Sequence, residues 1–357
     1  MRIRLPIHFG PWRTLQKEDG TALSIRIGGE DVFFESDSHA LTPHPHARAC
    51  LAFVARTLGK RAVWRMPACT PAFADNLRAI NLKWREWWGA PLVRMPSAPA
   101  SMNARNSPPR KTALFFAAGV DSFFTLYENR DCIDILVHVV GFDREPPSPS
   151  VTAHRIASIQ AVGAALGKEV CIVRTNLRER WPFSRINWER SHGAALAIVG
   201  WLLCGVADSF HISASFCQVR RDANQVKWGT HWETDSLWGS EGLSFHHTNS
   251  EVSRLMKLER IACHSLVRNH LSVCWEQRKP SPNCGICEKC ARTRLLFRFA
   301  GFQEDVAAFE GAPPLEEIIA KLQVIPKGFL VIYQDFPLER LAPPLRREVE
   351  ALVARSQ

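Results

Sequence analysis

The pattern of apolar and polar residues predicts a small first domain. Residues 22–27 and 32–35 alternate apolar and polar side chains, which is typical of strands with one buried face. Residues 47–58 and 72–88 repeat apolar positions at helical spacing. We therefore predict a small α+β domain over residues 1–95, whose role the sequence does not indicate.

The stretch that follows, residues 96–111, is rich in Pro, Ser and Asn and poor in large apolar residues. That composition favours an interdomain linker. Beyond it, short apolar runs alternate with helical patterns, and residues 133–140 are almost continuously apolar, as in strands buried on both faces. The predicted strands are 113–116, 133–140, 170–173 and 209–212, and the predicted helices are 122–129, 152–166 and 193–206.

Successive β-α units of this kind predict the α/β class, with a doubly wound parallel sheet over residues 112–250. From residue 251 the patterns are helical. We divide this part into a helical metal-binding region, residues 251–302, and a helical tail, residues 303–357.

The composition of the 357-residue chain is that of a folded protein, with 46% hydrophobic and 22% charged residues. Its net charge of +10 favours anionic partners such as nucleotides, phosphates or nucleic acid. A solvated basic surface with no specific partner explains the same excess. The charge therefore narrows the choice of partner without deciding it.

Two features indicate a cytoplasmic protein with no membrane partner. The longest apolar stretch, residues 193–207, is shorter than the about 20 residues that span a bilayer, so we expect a buried helix there. Seven scattered cysteines lie mostly beside apolar residues, which is typical of reduced thiols in a core.

The other four cysteines have the spacing of a metal site. Cys274 is followed after nine residues by Cys284, and Cys287 and Cys290 come next with two residues between neighbours. Four thiolates suit tetrahedral zinc with Zn–S bonds of about 2.3 Å and leave no open position for water, so the predicted zinc is structural. Buried reduced thiols or a disulfide pair are the alternatives.

A turn of small residues follows the first predicted strand of the sheet. Ligands bind at the carboxyl ends of such strands, where small residues and a helix N-terminus let backbone N–H groups approach an anion. Alternatively, this is an ordinary helix start capped by an Asp or Ser side chain. As a magnesium ligand in this loop, Asp121 would contribute nothing to core packing. The predicted nucleotide-binding residues are Ala117, Ala118, Gly119, Val120, Asp121 and Ser122.

Within this turn, we expect Asp121 to hold a magnesium ion and Ser122 to donate its hydroxyl to a phosphate oxygen. The later stretch 228–235 is rich in Trp and polar residues and could form a substrate wall, with His231 and Asp235 as its polar groups. A surface loop anchored to the core by its Trp side chains is the alternative there.

Several segments together resemble the PP-loop ATP pyrophosphatases, in the branch of 7-cyano-7-deazaguanine synthase. The turn 117–122 is similar to the Ser-Gly-Gly-x-Asp-Ser pyrophosphate loop, and residues 205–208 (GVAD) to a Gly-Ala-Asp turn. Residues 256–261 (MKLERI) resemble a Thr-Lys-x-Glu-Ile-Val helix. The cysteines, with Trp275 and Arg292, resemble a Cys-Tyr…Cys-Gly-x-Cys-x-x-Cys-x-x-Arg ending, although the Arg comes one residue sooner. The resemblance covers residues 111–302.

This resemblance implies an adenine-nucleotide α-hydrolase fold and cleavage of ATP, bound with Mg²⁺, to AMP and pyrophosphate. A carboxylate or carbonyl of an acceptor would be adenylated and then attacked by a nucleophile. The resemblance also implies catalytic roles for Asp121, Ser122 and Lys257, and a place near the nucleotide for Arg190, which is otherwise a solvated residue at a helix start. The acceptor would be a small molecule, a base or a peptide.

The chain departs from the family pattern where Ala117 and Ala118 replace Ser and Gly. Ala117 lacks a hydroxyl, and Ala118 places a Cβ where the backbone needs a positive φ or a close approach to phosphate. The alternative function is therefore a catalytically degraded PP-loop domain that binds nucleotide or nucleic acid as a module of a larger system.

Overall fold

The computed structural model describes residues 7–17, 20–59, 65–98, 111–142, 148–219, 226–276, 283–302 and 306–357. The strands are β1 (Phe9–Lys17), β2 (Gly20–Ile27), β3 (Glu30–Ser36), β4 (Thr112–Phe115), β5 (Ile135–Val140), β6 (Glu169–Thr175), β7 (Ser209–Ser213) and β8 (Ser244–Thr248). The helices are α1 (Pro45–Thr57), α2 (Pro71–Trp88), α3 (Val120–Glu128), α4 (Pro149–Leu166), α5 (Trp188–Leu202), α6 (Arg254–Ile261), α7 (Ser265–His270), α8 (Glu288–Phe299), α9 (Leu315–Lys321), α10 (Lys327–Tyr333) and α11 (Pro343–Ala354).

All eight of these strands form one mixed sheet in the order β1-β2-β3-β6-β5-β4-β7-β8. The five strands from β6 to β8 pair in parallel, and the three N-terminal strands pair antiparallel. The predicted α/β class is confirmed. The sequence patterns missed β1 and β8, the two strands at the edges of the sheet, where fewer side chains are buried and the apolar signal is weaker.

The N-terminal segment shares its sheet with the rest of the chain, because β3 pairs antiparallel with β6, with Phe34 opposite Thr175. Residues 96–98 of the predicted linker pair with Cys69, and residues 99–110 lie outside the described ranges. The division of the chain into domains remains a prediction.

Two hydrophobic clusters cover the two faces of the sheet. Along β4, Ala113 and Phe115 pack in the cluster that contains α1, α2 and α5. Leu114 packs in the cluster that contains α3, α4, α6 and the C-terminal helices, and so does Phe116, the residue after the strand. Successive side chains of a strand point to opposite faces of the sheet. Because both faces are covered, nearly every residue of such a strand is apolar, which explains the almost continuous apolar runs in the sequence.

The helix predicted at 193–206 begins earlier in the structure, at Trp188, and ends at Leu202. The polar residues that precede the apolar run form its first turn. Within the described ranges, no helix combines the length and apolar character that crossing a bilayer requires.

Candidate functional site

The predicted nucleotide turn lies where the strand order of the sheet reverses. β4 and β7 are neighbours in the sheet, and the chain goes from β4 to β5 on one side and from β7 to β8 on the other. Such a reversal opens a crevice at the carboxyl ends of the strands, which is the usual ligand position in open α/β sheets.

The backbone of this turn is tightly organised. Ala118 has a φ of +54°, a conformation that favours glycine, and Gly119 caps the N-terminus of α3. The Ser122 hydroxyl accepts a hydrogen bond from Gly119 N at 3.0 Å and lies 3.1 Å from Gly119 O. Asp121 is the second residue of the helix, so the interpretation of Asp121 as an N-cap is wrong.

Asp121 forms the centre of a charged cluster with two residues of α6. Its Oδ2 accepts a hydrogen bond from Arg254 Nη2 at 2.6 Å, and its Oδ1 lies 3.4 Å from Lys257 Nζ. Both cations also bind the chain just after β7, since Lys257 Nζ donates to Ala214 O at 2.6 Å and Arg254 Nη2 to Ser215 O at 3.1 Å. The cluster therefore joins the ends of β4 and β7.

Burial sets the electrostatics of this cluster. The side chain of Lys257 is only 1% exposed and that of Asp121 17%. Burial opposes ionisation of Asp121, but Arg254 and Lys257 outweigh it and lower the pKa of the carboxyl. Burial lowers the pKa of Lys257, although Asp121 counteracts this effect. Removal of one partner from a buried ion pair is destabilising, so we expect Asp121 to contribute to stability, contrary to the sequence-based expectation for a loop carboxylate.

The structure thus brings together the predicted residues Asp121 and Lys257, and it adds Arg254, which sequence reasoning missed. The available signal was its position three residues before Lys257 on one helix, since residues at that spacing share a face.

Magnesium fits this cluster only together with a phosphate ligand. The ion binds through one or two carboxylates together with substrate phosphates. Asp121 supplies one carboxylate between two cations. In the described part of the chain, the one group of three or more His, Cys, Asp or Glu side chains close enough to share a metal ion is the four-cysteine cluster.

The ligand atoms of Cys274, Cys284, Cys287 and Cys290 all lie within 4.8 Å of one another, and all four residues are buried. Cys274 Sγ is 3.9 Å from Cys287 Sγ, and Cys284 Sγ is 4.0 Å from Cys290 Sγ. Tetrahedral zinc with bonds of about 2.3 Å requires sulfur separations of ~3.8 Å. The four residues can therefore hold a metal ion such as zinc, and the thiols are free rather than joined in disulfides.

Hydrogen bonds and a tight turn position the chain around the cysteines. Asn283 Oδ1 accepts hydrogen bonds from Val273 N at 2.8 Å and Cys274 N at 3.2 Å, which holds the first cysteine against the other three. Gly285 turns the chain with a φ of +74°, and a Cβ there would lie 2.4 Å from that of Ala312.

The two clusters are connected through the backbone. Ser272 N, two residues before Cys274, donates to Ala118 O at 2.8 Å. Arg155 Nε donates to Ser272 Oγ at 3.2 Å. The segment that carries the first cysteine therefore supports the strained residue of the predicted nucleotide turn.

The remaining predicted residues lie in the cluster on the other face of the sheet. Arg190 is exposed on the first turn of α5, and its guanidinium lies 5.4 Å from the centre of the Trp88 ring. Asp235 is fully buried and accepts a hydrogen bond from His231 N at 3.0 Å. The predicted roles of Arg190 in phosphate binding and of His231 and Asp235 in substrate binding remain predictions.

The fold and the sites define the class of this protein as a mixed α/β protein with a mostly parallel sheet and a four-cysteine site that can hold a metal ion. Neither the models of known protein families nor the curated proteins give a match to the chain.

Proposed function

We propose that this chain is a PP-loop ATP pyrophosphatase with a doubly wound sheet. It cleaves ATP to AMP and pyrophosphate and adenylates a carboxylate or carbonyl of an acceptor. The observation that carries this proposal is the cluster of Asp121, Arg254 and Lys257 at the strand-order reversal. The two cations and one carboxylate leave an excess of positive charge beside a helix N-terminus, which suits a polyphosphate.

The roles of the three residues follow from their chemistry. Arg254 presents a planar guanidinium that can bind two phosphate oxygens, and Lys257 acts as a point charge. Asp121 now holds both cations in place, and with ATP bound it would also be the protein ligand of Mg²⁺, which neutralises phosphate charge when present. We assign the four cysteines to a structural zinc, because four thiolates fill its coordination shell.

Labelled ATP and a panel of carboxylates test the proposal, with release of AMP and pyrophosphate as the measurement. Arg254→Gln should weaken ATP binding at least about tenfold, because a charge-assisted contact to phosphate is lost while Lys257 still pairs with Asp121. Arg340→Gln is the matched control, since Arg340 also pairs with a carboxylate, Glu259 at 2.9 Å, but is mostly exposed. Equal ATP affinity in both variants, or ATP bound without cleavage with any acceptor, would contradict the enzyme proposal.

A second candidate is a catalytically degraded PP-loop domain that binds nucleotide or nucleic acid within a larger assembly. Two observations favour it: Ala117 offers no hydroxyl, and the Cβ of Ala118 occupies a position with positive φ. If the double change Ala117→Ser/Ala118→Gly creates activity where the wild type has none, this candidate is supported. An active wild type excludes it. A nucleic-acid role further requires binding that weakens steeply with salt.

A further inference from the structure

A buried carboxylate–imidazole pair lies apart from the cluster around Asp121. Asp235 Oδ2 is 2.7 Å from Nδ1 of His247, a residue of β8. The other oxygen, Oδ1, accepts the hydrogen bond from His231 N. Asp235 is 0% exposed, so both of its oxygens are held by these two neighbours.

This pair fixes the tautomer of His247. An ionised carboxylate only accepts hydrogen bonds, so Nδ1 of His247 carries the proton and donates it. The lone pair of a neutral ring is then on Nε2. Among the described residues, no hydrogen-bond partner meets His247 Nε2, and the side chain is only 6% exposed. The free lone pair therefore lies on a largely enclosed ring.

The register of the sheet places the backbone of His247 near the chain that Lys257 binds. His247 pairs with Ile212 of β7, and Lys257 binds Ala214 O two residues further on, just past the end of that strand. With strands ~4.8 Å apart and ~3.3 Å per residue, the Cα atoms of His247 and Ala214 are about 8 Å apart. His247 shares a face with Phe245, in the cluster around α5, whereas α6 covers the opposite face. The two sites flank one edge of the sheet.

A second unsatisfied imidazole adjoins the pair. His231 is 1% exposed, and its Nε2 lacks a hydrogen-bond partner in the described part of the chain. Its ring stacks on Trp232 at 3.9 Å between centroids, and Trp232 also lies 6.3 Å from the His247 ring. Buried polar groups are rarely left unpaired. The tryptophan that contacts His247 thus also covers a second imidazole with an unsatisfied nitrogen.

We propose that His247 is the general base of the second half-reaction and that Asp235 is its positioning residue. The inference rests on the proposed function. An amine nucleophile attacks the adenylated acyl carbon, the new C–N bond forms, and the C–O bond to AMP breaks. The nitrogen loses one proton to His247 Nε2, AMP leaves with the electron pair of the broken bond, and the imidazolium is stabilised by Asp235.

The first test measures the reactivity of His247 in the full chain with diethyl pyrocarbonate, which acylates unprotonated imidazole nitrogen, followed by peptide mass mapping. Wild-type His247 should react slowly but measurably, because its side chain is only 6% exposed. In Asp235→Asn, His231 N–H still requires the amide oxygen, so the amide N–H faces His247 Nδ1 and moves the ring proton to Nε2. Modification should then slow at least about tenfold. His246, on the opposite face of β8, is the internal control and should not change.

The second test separates the two half-reactions. His247→Gln should keep ATP–pyrophosphate exchange, which reports adenylation, within about twofold. AMP release that depends on ammonium should fall by about 10²-fold, the usual size of a general-base contribution.

If no carboxylate supports exchange in the wild type, the proposed function fails and the reactivity test still decides whether His247 is held for proton transfer. An unreactive His247, equal reactivity in Asp235→Asn, or undiminished ammonium-dependent release in His247→Gln each overturns the inference.

Discussion

The four-cysteine cluster and the Asp121 cluster are assembled in opposite ways. Three of the cysteines lie within residues 284–290, and a short return of the chain supplies Cys274. Asp121, by contrast, meets Lys257 across 136 positions of sequence, and Lys257 meets Ala214 across 43. The first site depends on local spacing and the second on the order of strands in the sheet.

This contrast determines where stability and function depend on each other. A metal site built locally can form with its own segment, whereas the charged cluster exists only when β4, β7 and α6 are all in place. The hydrogen bond from Ser272 N to Ala118 O joins them, so loss of the metal should disturb the nucleotide turn as well.

The largest expected effect comes from Cys287→Ser. Binding energy at such a site is also folding energy, so loss of the metal should lower the free energy of unfolding by more than about 4 kcal/mol. Elemental analysis should find one zinc per wild-type chain and none in the variant, and chemical denaturation measures the stability.

Cys263→Ser is the matched control, because Cys263 is an exposed free thiol in the same region. It should keep the zinc and the wild-type stability. Wild-type protein purified without chelator that contains no zinc would contradict the assignment of the metal.

Asp121→Asn comes next and tests the second site. The substitution leaves the buried charge of Lys257 without its counter-charge, which should cost about 2 kcal/mol, below the range for fully buried pairs because Asp121 is partly exposed. Magnesium-dependent ATP affinity should fall in parallel. Thermal and urea denaturation measure the first effect and calorimetry the second.

The double variant Asp121→Asn/Lys257→Met separates charge from packing. Removal of both partners should be less destabilising than the sum of the two single changes, because no unpaired charge remains buried. Additive effects, or an Asp121→Asn protein as stable as the wild type, would mean that the pair contributes nothing to the fold.

The contrast between the two clusters also explains which parts of the fold and of the sites the sequence predicts. The spacing of four cysteines is a local property, and the structure brings all four together as expected. Lys257 was placed by resemblance alone, and Arg254 and His247 were missed because their importance depends on which strands are neighbours. β8, which carries His247, has three polar residues after Phe245 and no apolar run that would reveal a strand.

A smaller effect should appear in acid. The folded-state pKa of Asp121 lies below its ordinary value of about 3.9, so its ionised form adds stability that is complete above that pH. That contribution is lost as the pH falls through the folded-state pKa. The stability difference between wild type and Asp121→Asn should therefore be constant from pH 6 to 5 and shrink below about pH 4. Urea denaturation at each pH measures the free energy of unfolding of both proteins. Because both lose thiolate-bound metal in acid, the difference between the two free energies is the quantity to compare. A difference that stays constant to pH 3 would contradict the assignment of the pair.

The smallest expected change in stability is that of Ala118→Gly. Glycine relieves the cost of a positive φ, about 1 kcal/mol, but it removes a buried methyl worth about 0.8 kcal/mol and adds about 0.4–1 kcal/mol of unfolded-state entropy. These terms nearly cancel, so the free energy of unfolding should change by less than about 1 kcal/mol.

ATP affinity should rise, because phosphate can then approach the backbone more closely. Ala55→Gly, in the buried interior of α1, is the matched control: it loses a methyl without relief of strain and should be clearly less stable. If Ala118→Gly destabilises as much as Ala55→Gly and leaves ATP affinity unchanged, the methyl of Ala118 serves packing alone and the turn is not a phosphate site.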